Sequence, residues 1–262
     1  MAEPTEPSPP TARAVANPTT LVIDIGGTGL KASVLDGAGV MLTDRARIPT
    51  AYPCPPDRLV TQLTQLVEPL PAFDRVSVGF PGVVRRGVIL SAPHFITVHG
   101  PGTATDENLT ANWHRFDLGA ALTQHFACPV RIINDADLQG LDVATGTGVE
   151  VVITLGTGLG FSVFENGHLG PHLELAQHPF RKNKTYNERV GDAARKKIGN
   201  RRWNKRMQRV IATLDALVFY DHLYIGGGNA RHLTHKLGPN ITLIDPNAAI
   251  QGGLKLWDPH EK

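Results

Sequence analysis

Four short segments of the chain carry residue types suited to phosphate chemistry. Asp24-Ile-Gly-Gly-Thr28 sets a carboxylate beside a glycine turn, with Lys31 close behind, and Leu155-Gly-Thr-Gly158 and Ile225-Gly-Gly-Gly228 repeat the turn. Consecutive backbone N–H groups in such turns form a concave donor cluster that suits phosphate oxygens. Glycine lets the backbone take φ > 0 and approach a ligand closely. Gly26, Gly27, Gly156, Thr157, Gly158, Gly226, Gly227 and Gly228 are therefore candidate donor contacts. Asp24 can hold Mg²⁺ through water, Thr28 can bond a phosphate oxygen, and Lys31 can neutralise charge. The fourth segment, Ile133-Asn-Asp-Ala136, leaves Asp135 at a strand end, where a carboxylate can be oriented and partly desolvated. Phosphoryl transfer requires in-line positioning, charge neutralisation and a destination for the hydroxyl proton.

The elements that must position these residues follow from hydrophobic patterning. Residues 21–25 and 30–35 read as strands on either side of the first glycine turn, a hairpin rather than a strand-to-helix crossover. Residues 151–155 and 161–164 repeat the pattern, which points to an internal duplication. Because Gly156-Thr-Gly-Leu-Gly160 precedes a strand and no Walker-type lysine loop is present, dinucleotide and P-loop sites are disfavoured. Further strands are expected at 40–48, 76–80, 130–133, 223–225 and 241–244. Residues 57–70 and 116–126 read as helices, and 247–256 as a closing helix. Trp203, Met207, Val210, Ile211, Leu214, Leu217 and Val218 mark a long amphipathic one, with Trp203 and Met207 as core. Residues 94–113, rich in Gly, Thr, Asn and Pro, read as an irregular loop.

Taken in order, Asp24-Ile-Gly-Gly-Thr28 with Lys31, Gly79-Phe-Pro-Gly82, Ile133-Asn-Asp-Ala136, Leu155-Gly-Thr-Gly158 and Ile225-Gly-Gly-Gly228 resemble the ROK family of sugar kinases and related repressors. The resemblance implies an α/β actin–hexokinase fold of ribonuclease-H-like topology, two-lobed with a central cleft. Residues 20–134 would form the N-terminal lobe and 135–262 the C-terminal lobe, its last helix packing back on the first. Each lobe would supply one phosphate loop. The same resemblance makes Asp135 the catalytic base and places Gly82, Asn134 and Glu174 at the sugar. The family's Glu-x-Gly-His element becomes Glu174-Leu-Ala-Gln-His178, one residue longer and without the glycine. The imidazole position is thus His178, with Gln177 or His172 as alternatives.

Many family members bind structural zinc through a cysteine cluster that this chain lacks, which implies no structural zinc. Together with the compact length and the Leu-Gly-Thr-Gly context, this looks like the polyphosphate glucokinase subgroup. That implies glucose as acceptor, polyphosphate and/or ATP as donor, Mg²⁺, and a homodimer. Fructose or an N-acyl hexosamine as acceptor, or a non-catalytic sugar- or polyanion-binding regulator, are the alternatives.

Charge is balanced over the 262 residues but not along them. Residues 181–209 carry twelve Lys and Arg against Glu188 and Asp192. Lys196, Lys197, Arg201 and Arg202 are candidates for a patch that attracts a polyanion. No separate recognition domain accompanies the tract, and residues 1–19 are too short for the helix-turn-helix of the ROK repressors, so nucleic acid is not an expected partner. Nor is a membrane, since no apolar run approaches the ~18 residues of a spanning helix. Residues 1–19, rich in Pro, Ala, Thr and Glu, read as a disordered tail rather than a signal or transit peptide. Cys54 and Cys128 stand far apart, which suits a reducing cytoplasm better than a disulfide framework.

Overall fold

The computed structural model describes residues 17–244 and 248–258. Most of the expected tail and Asn247 lie outside the described residues. Thr19, counted with the tail on composition, is instead tied down. Its backbone N–H and its hydroxyl both donate to Asp74 Oδ2, at 2.7 and 2.8 Å.

Two five-stranded sheets share one topology. The first contains β1 (Thr20–Ile25), β2 (Leu30–Leu35), β3 (Ala46–Ile48) and β4 (Arg75–Phe80). After a small hairpin of β5 (Val84–Arg85) and β6 (Val88–Ile89), β7 (Val130–Asn134) completes the order β3-β2-β1-β4-β7. β1 and β2 are the antiparallel hairpin, whereas β4 and β7 continue parallel to β1. Parallel neighbours need crossover connections, supplied by α1 (Pro56–Val67), then α2 (Glu107–Trp113) and α3 (Leu118–Phe126). α1 opens with Pro56, where a missing N–H costs no helical bond, and buries Leu59, Leu63 and Leu66 along one face.

α4 (Asp135–Val143) leads to the second sheet, which begins with β8 (Val149–Leu155), β9 (Leu159–Glu165) and β10 (His168–Leu169). The hairpin of β11 (Pro179–Arg181) and β12 (Lys184–Thr185) follows, then α5 (Tyr186–Val190), α6 (Asp192–Ile198) and α7 (Asn200–Val218). β13 (His222–Gly226) and β14 (Ile241–Leu243) complete the order β10-β9-β8-β13-β14. The hairpin–parallel strand arrangement of the first sheet is thereby repeated. As expected, Trp203 and Met207 are fully buried core under this sheet.

Between the sheets lie α4 and the closing helix α8 (Ala248–Lys255). Val22, Leu138, Val152, Phe164, Tyr224 and Ile250 form one apolar cluster there, joining β1 to β8 and β13 through the two helices. The approach is close: a Cβ on Gly252 would run into the Leu138 carbonyl oxygen, and one on Gly253 into Val22. Ser77 donates to Gly253 O at 2.6 Å and accepts from Trp257 Nε1 at 2.8 Å. Arg75 and Arg131 hold their guanidinium carbons 5.0 and 4.6 Å from the Trp257 ring centre.

Residues 40–48 and 94–113 both take another form than the sequence reading gave them. Residues 40–48 are not one strand: Met41 makes an isolated bridge to Leu35, Val40, Met41 and Leu42 are exposed, and only Ala46–Ile48 joins the sheet. Residues 94–113 are not wholly irregular, because Asp106 caps the Leu109 N–H at 2.8 Å and opens α2. That helix buries only Leu109 and Trp113, too few positions to display a period.

Candidate active site

Parallel register brings the chemistry-bearing strand ends to one edge. Asp24 stands opposite Gly79, and Phe80 opposite Asn134. In the second sheet Gly226 stands opposite Thr154, beside the turn that closes the β8–β9 hairpin. A cavity of about 320 Å³ lies between the two edges. Asp24, Gly26, Gly27, Thr28 and Lys31 line it from the first hairpin, and Gly156, Thr157, Gly158, Gly227 and Gly228 from the second sheet. Gly82, Asn134, Asp135 and Glu174 complete the predicted lining. Gly226 does not reach it, being buried at the end of β13 against Gln139 and Ile244. His178 does not either: it is exposed beyond a short 3₁₀ turn, whereas both alternatives, Gln177 and His172, line the cavity.

Side chains outside the turns hold both in shape. Thr50 Oγ1 donates to Gly26 O at 2.7 Å, and the Tyr52 hydroxyl donates to Gly27 O at 2.8 Å. Lys31 pairs with Asp24 at 2.8 Å. In the second turn Asn187 Oδ1 accepts the Leu159 N–H at 2.9 Å, and Asn229 Nδ2 donates to Gly156 O at 3.0 Å. Among the predicted donor glycines only Gly227 takes a left-handed φ, of 82°. Positive φ is therefore not the general reason for them. At Gly156 and Gly228 no atom stands within 4 Å of where a Cβ would be. Their backbone is bare toward open space, as close approach by a ligand requires.

Asn134 ends β7 and caps α4, so Asp135, expected only at a strand end, is the first residue of a helix. Asn134 Oδ1 accepts the N–H groups of Ala136 and Asp137 at 2.7 and 3.3 Å, while Nδ2 donates to Phe80 O and Gly82 O at 3.4 and 3.1 Å. Both amide hydrogens and both lone pairs are in use. The side chain expected to bind a sugar is a brace in this structure.

Asp135 is half-buried and accepts the Ala136 N–H at 3.0 Å. Burial, followed by the charge of Asp24, pushes its carboxyl up to about 7, against the Ala136 bond. His172 lies 3.0 Å from Asp137 Oδ2 through Nδ1 and 3.4 Å from Glu174 Oε1 through Nε2. Burial works to lower it, but the bonds to Asp137 and Glu174 outweigh this and hold it up at about 10. Burial raises the Asp137 carboxyl, with His172 opposing.

Arg47, His94, Gln139 and Asn187 also line the cavity and were not found from the sequence. Arg47 pairs across from Lys31, a relation visible only once β3 is placed. Asn187 is hidden in the charged tract, and His94 in a loop, where nothing local marks them. Burial lowers His94, against the charge of Glu174.

The polyanion patch is not brought to this cavity. Lys196 pairs with Asp192 at 2.7 Å and lines a neighbouring groove of about 900 Å³, which shares Thr28, His94 and Thr157 with the first. Lys197, Arg201 and Arg202 are exposed on α6 and α7 and line neither. Among the described residues no group of three His, Cys, Asp or Glu side chains is arranged to hold a metal. Mg²⁺ fits the cavity in another way, beside Asp24, because it commonly keeps its waters and takes the rest of its oxygens from substrate phosphates. No helix among the described residues is long and apolar enough to cross a membrane.

A family model described as the ROK family matches residues 20–171. The polyphosphate glucokinase of Mycobacterium tuberculosis (strain CDC 1551 / Oshkosh) is 29% identical over 241 residues, which cover 87% of this chain and 85% of that protein. The N-acetylmannosamine kinase of Escherichia coli O139:H28 is 36% identical over 162 residues, 58% of this chain and 49% of its own. The crystal structure of an inorganic polyphosphate/ATP-glucomannokinase from Arthrobacter sp. strain KM superposes with a TM-score of 0.77 at 28% identity, covering 91% of this chain and 97% of that one. With this sequence match and an actin–hexokinase-like α/β fold, the chain belongs to the ROK family.

Proposed function

We propose that this protein is a hexose kinase, a glucokinase that transfers the terminal phosphoryl group of inorganic polyphosphate and/or ATP to the sugar 6-hydroxyl. The observation that carries the reading is a single cavity bounded by both glycine turns and by Asp135. Residues 20–134 and 135–262 act as the two lobes, with the donor phosphates between their turns. The backbone N–H groups of the turns bind phosphate oxygens, and Lys31 and Arg47 offset the donor's charge. The sugar oxygen attacks the terminal phosphorus, forming one P–O bond as the bridging P–O bond to the donor breaks. Asp135 accepts the hydroxyl proton, and the donor leaves one phosphate shorter. Mg²⁺, when bound beside Asp24, neutralises charge on the donor phosphates.

Glucose as acceptor is supported by the polyphosphate glucokinase relative over most of the chain. An N-acyl hexosamine is the second reading, favoured by the higher identity to the N-acetylmannosamine kinase over a shorter stretch. A coupled assay with glucose, mannose, fructose and N-acetylmannosamine, each with polyphosphate or ATP, tests both. Glucose should turn over fastest, and Asp135→Asn should lose roughly 10²–10⁴ in kcat, the range for a lost general base. No turnover of any sugar with either donor would leave a non-catalytic binding protein.

A further inference from the structure

His172 joins two parts of the site that lie far apart in sequence. It sits in the loop after β10, with a side chain 12% exposed. Its two ring nitrogens each face a carboxylate, Asp137 Oδ2 and Glu174 Oε1. Only an imidazolium has an N–H on both nitrogens, so the ring is a two-ended donor with nothing left over for a substrate. Asp137 is on the first turn of α4, two residues after Asp135, with a side chain 5% exposed. Its Oδ2 meets His172, and its Oδ1 has no hydrogen-bond partner among the described residues. Asp137 does not line the cavity, whereas His172 and Glu174 do.

We infer that Asp137 and His172 are positioning residues that fix Glu174 as a purely hydrogen-bond-accepting anchor for the acceptor alcohol. Glu174 needs a fixed orientation to grip a substrate hydroxyl. A carboxylate at the cavity wall can rotate away from a ligand unless a neighbour holds it. Asp135 and Asp137 are the neighbouring acids, and His94 faces the same region. The His172 ring nitrogen engages one Glu174 oxygen, Oε1, and holds the carboxylate in one orientation, so its remaining acceptor capacity is directed at the ligand. Because Asp137 anchors His172 from the helix turn that carries Asp135, the acid that receives the proton and the acid that grips the substrate share one rigid support. The acceptor class this fits is a polyol with at least two hydroxyls, one given to Glu174 and one to Asp135. This rests on the kinase reading above for the identity of Asp135's partner.

A mutant cycle tests it. The variants are His172→Gln, Glu174→Gln and their combination, with Asp137→Asn added. Steady-state constants are measured with glucose and polyphosphate or ATP, and glucose affinity without donor by calorimetry. His172→Gln should raise the glucose KM about tenfold or more while the donor KM stays within about twofold. In the Glu174→Gln background the same change should add almost nothing, since residues acting through one another are not additive. Asp137→Asn should follow His172→Gln in direction. Should it fail to fold, the His172–Glu174 pair decides alone. The inference is overturned if His172→Gln leaves the glucose KM alone, if it shifts both KM values equally, or if it contributes its full factor on top of Glu174→Gln. A wild type that binds glucose without phosphorylating it ends the kinase reading, yet the cycle read in Kd still decides the inference. A wild type that phosphorylates glucose but gives an additive cycle keeps the kinase and ends the inference. If no sugar of the panel is bound or turned over, both are overturned.

Discussion

If Asp135 accepts the hydroxyl proton, its unusual titration must show in the rate. Burial and the Asp24 charge push it up to about 7, so in the free enzyme it is half ionised at neutrality. Roughly a tenth of the molecules carry the active carboxylate at pH 6 and roughly nine-tenths at pH 8, and kcat/KM should climb about tenfold between them. A carboxylate at its ordinary value would give a flat profile over the same interval. Asp24→Asn removes the largest of the charge effects that raise it, and it frees the Lys31 charge to act in the same direction. The acidic limb should therefore move to lower pH, whatever the substitution does to its height. The measurement is kcat/KM for glucose from pH 5.5 to 8.5 at subsaturating donor, for wild type, Asp24→Asn and Asp135→Asn. His172, held up at about 10, stays charged throughout and cannot supply the limb. A limb that survives in Asp135→Asn would pass the assignment to another group, of which His94 is the nearest candidate. A midpoint unmoved by Asp24→Asn would refute the electrostatic coupling of the two acids.

Three further outcomes follow from the packing. Gly252→Ala would gain helix propensity, but its Cβ meets the backbone of Leu138. Overpacking of about 1–3 kcal/mol should dominate, and calorimetry should show Tm lowered by roughly 2–10 °C. Tyr52→Phe deletes the bond to Gly27 O. A net loss of about 1 kcal/mol should raise the donor KM by roughly fivefold and leave the glucose KM unchanged. Charge reversal at Lys197, Arg201 and Arg202, which line neither cavity, should raise the KM for long polyphosphate while sparing ATP if the tract attracts the chain at a distance. Equal effects on both donors in steady-state assays would remove the tract from donor recognition.

The sequence by itself determined the repeated hairpins, the order of the glycine turns and the strand-end acid. Each of these is local: a buried apolar run stopped by glycine announces a strand and its turn without knowledge of the partner. Helix α4 escaped because its start signal is Asn134, whose side chain is held in its capping position by Phe80 at the end of β4 and Gly82 just beyond it. Setting His178 aside for His172 and Gln177 was equally out of reach, since all three lie near Glu174 in the chain and only the loop's path into the cleft separates them. The basic tract shows the limit from the other side. Its charge could be counted, but the direction each side chain faces was decided when α7 packed Trp203 and Met207 beneath the second sheet, with α6 against it. Tertiary structure also turned two chemically unremarkable glycines, Gly252 and Gly253, into the contact that lets the closing helix lie between the sheets. Patterns along the chain reveal what a segment can be. Which groups meet, and with what charge, depends on the burial and proximity that packing imposes.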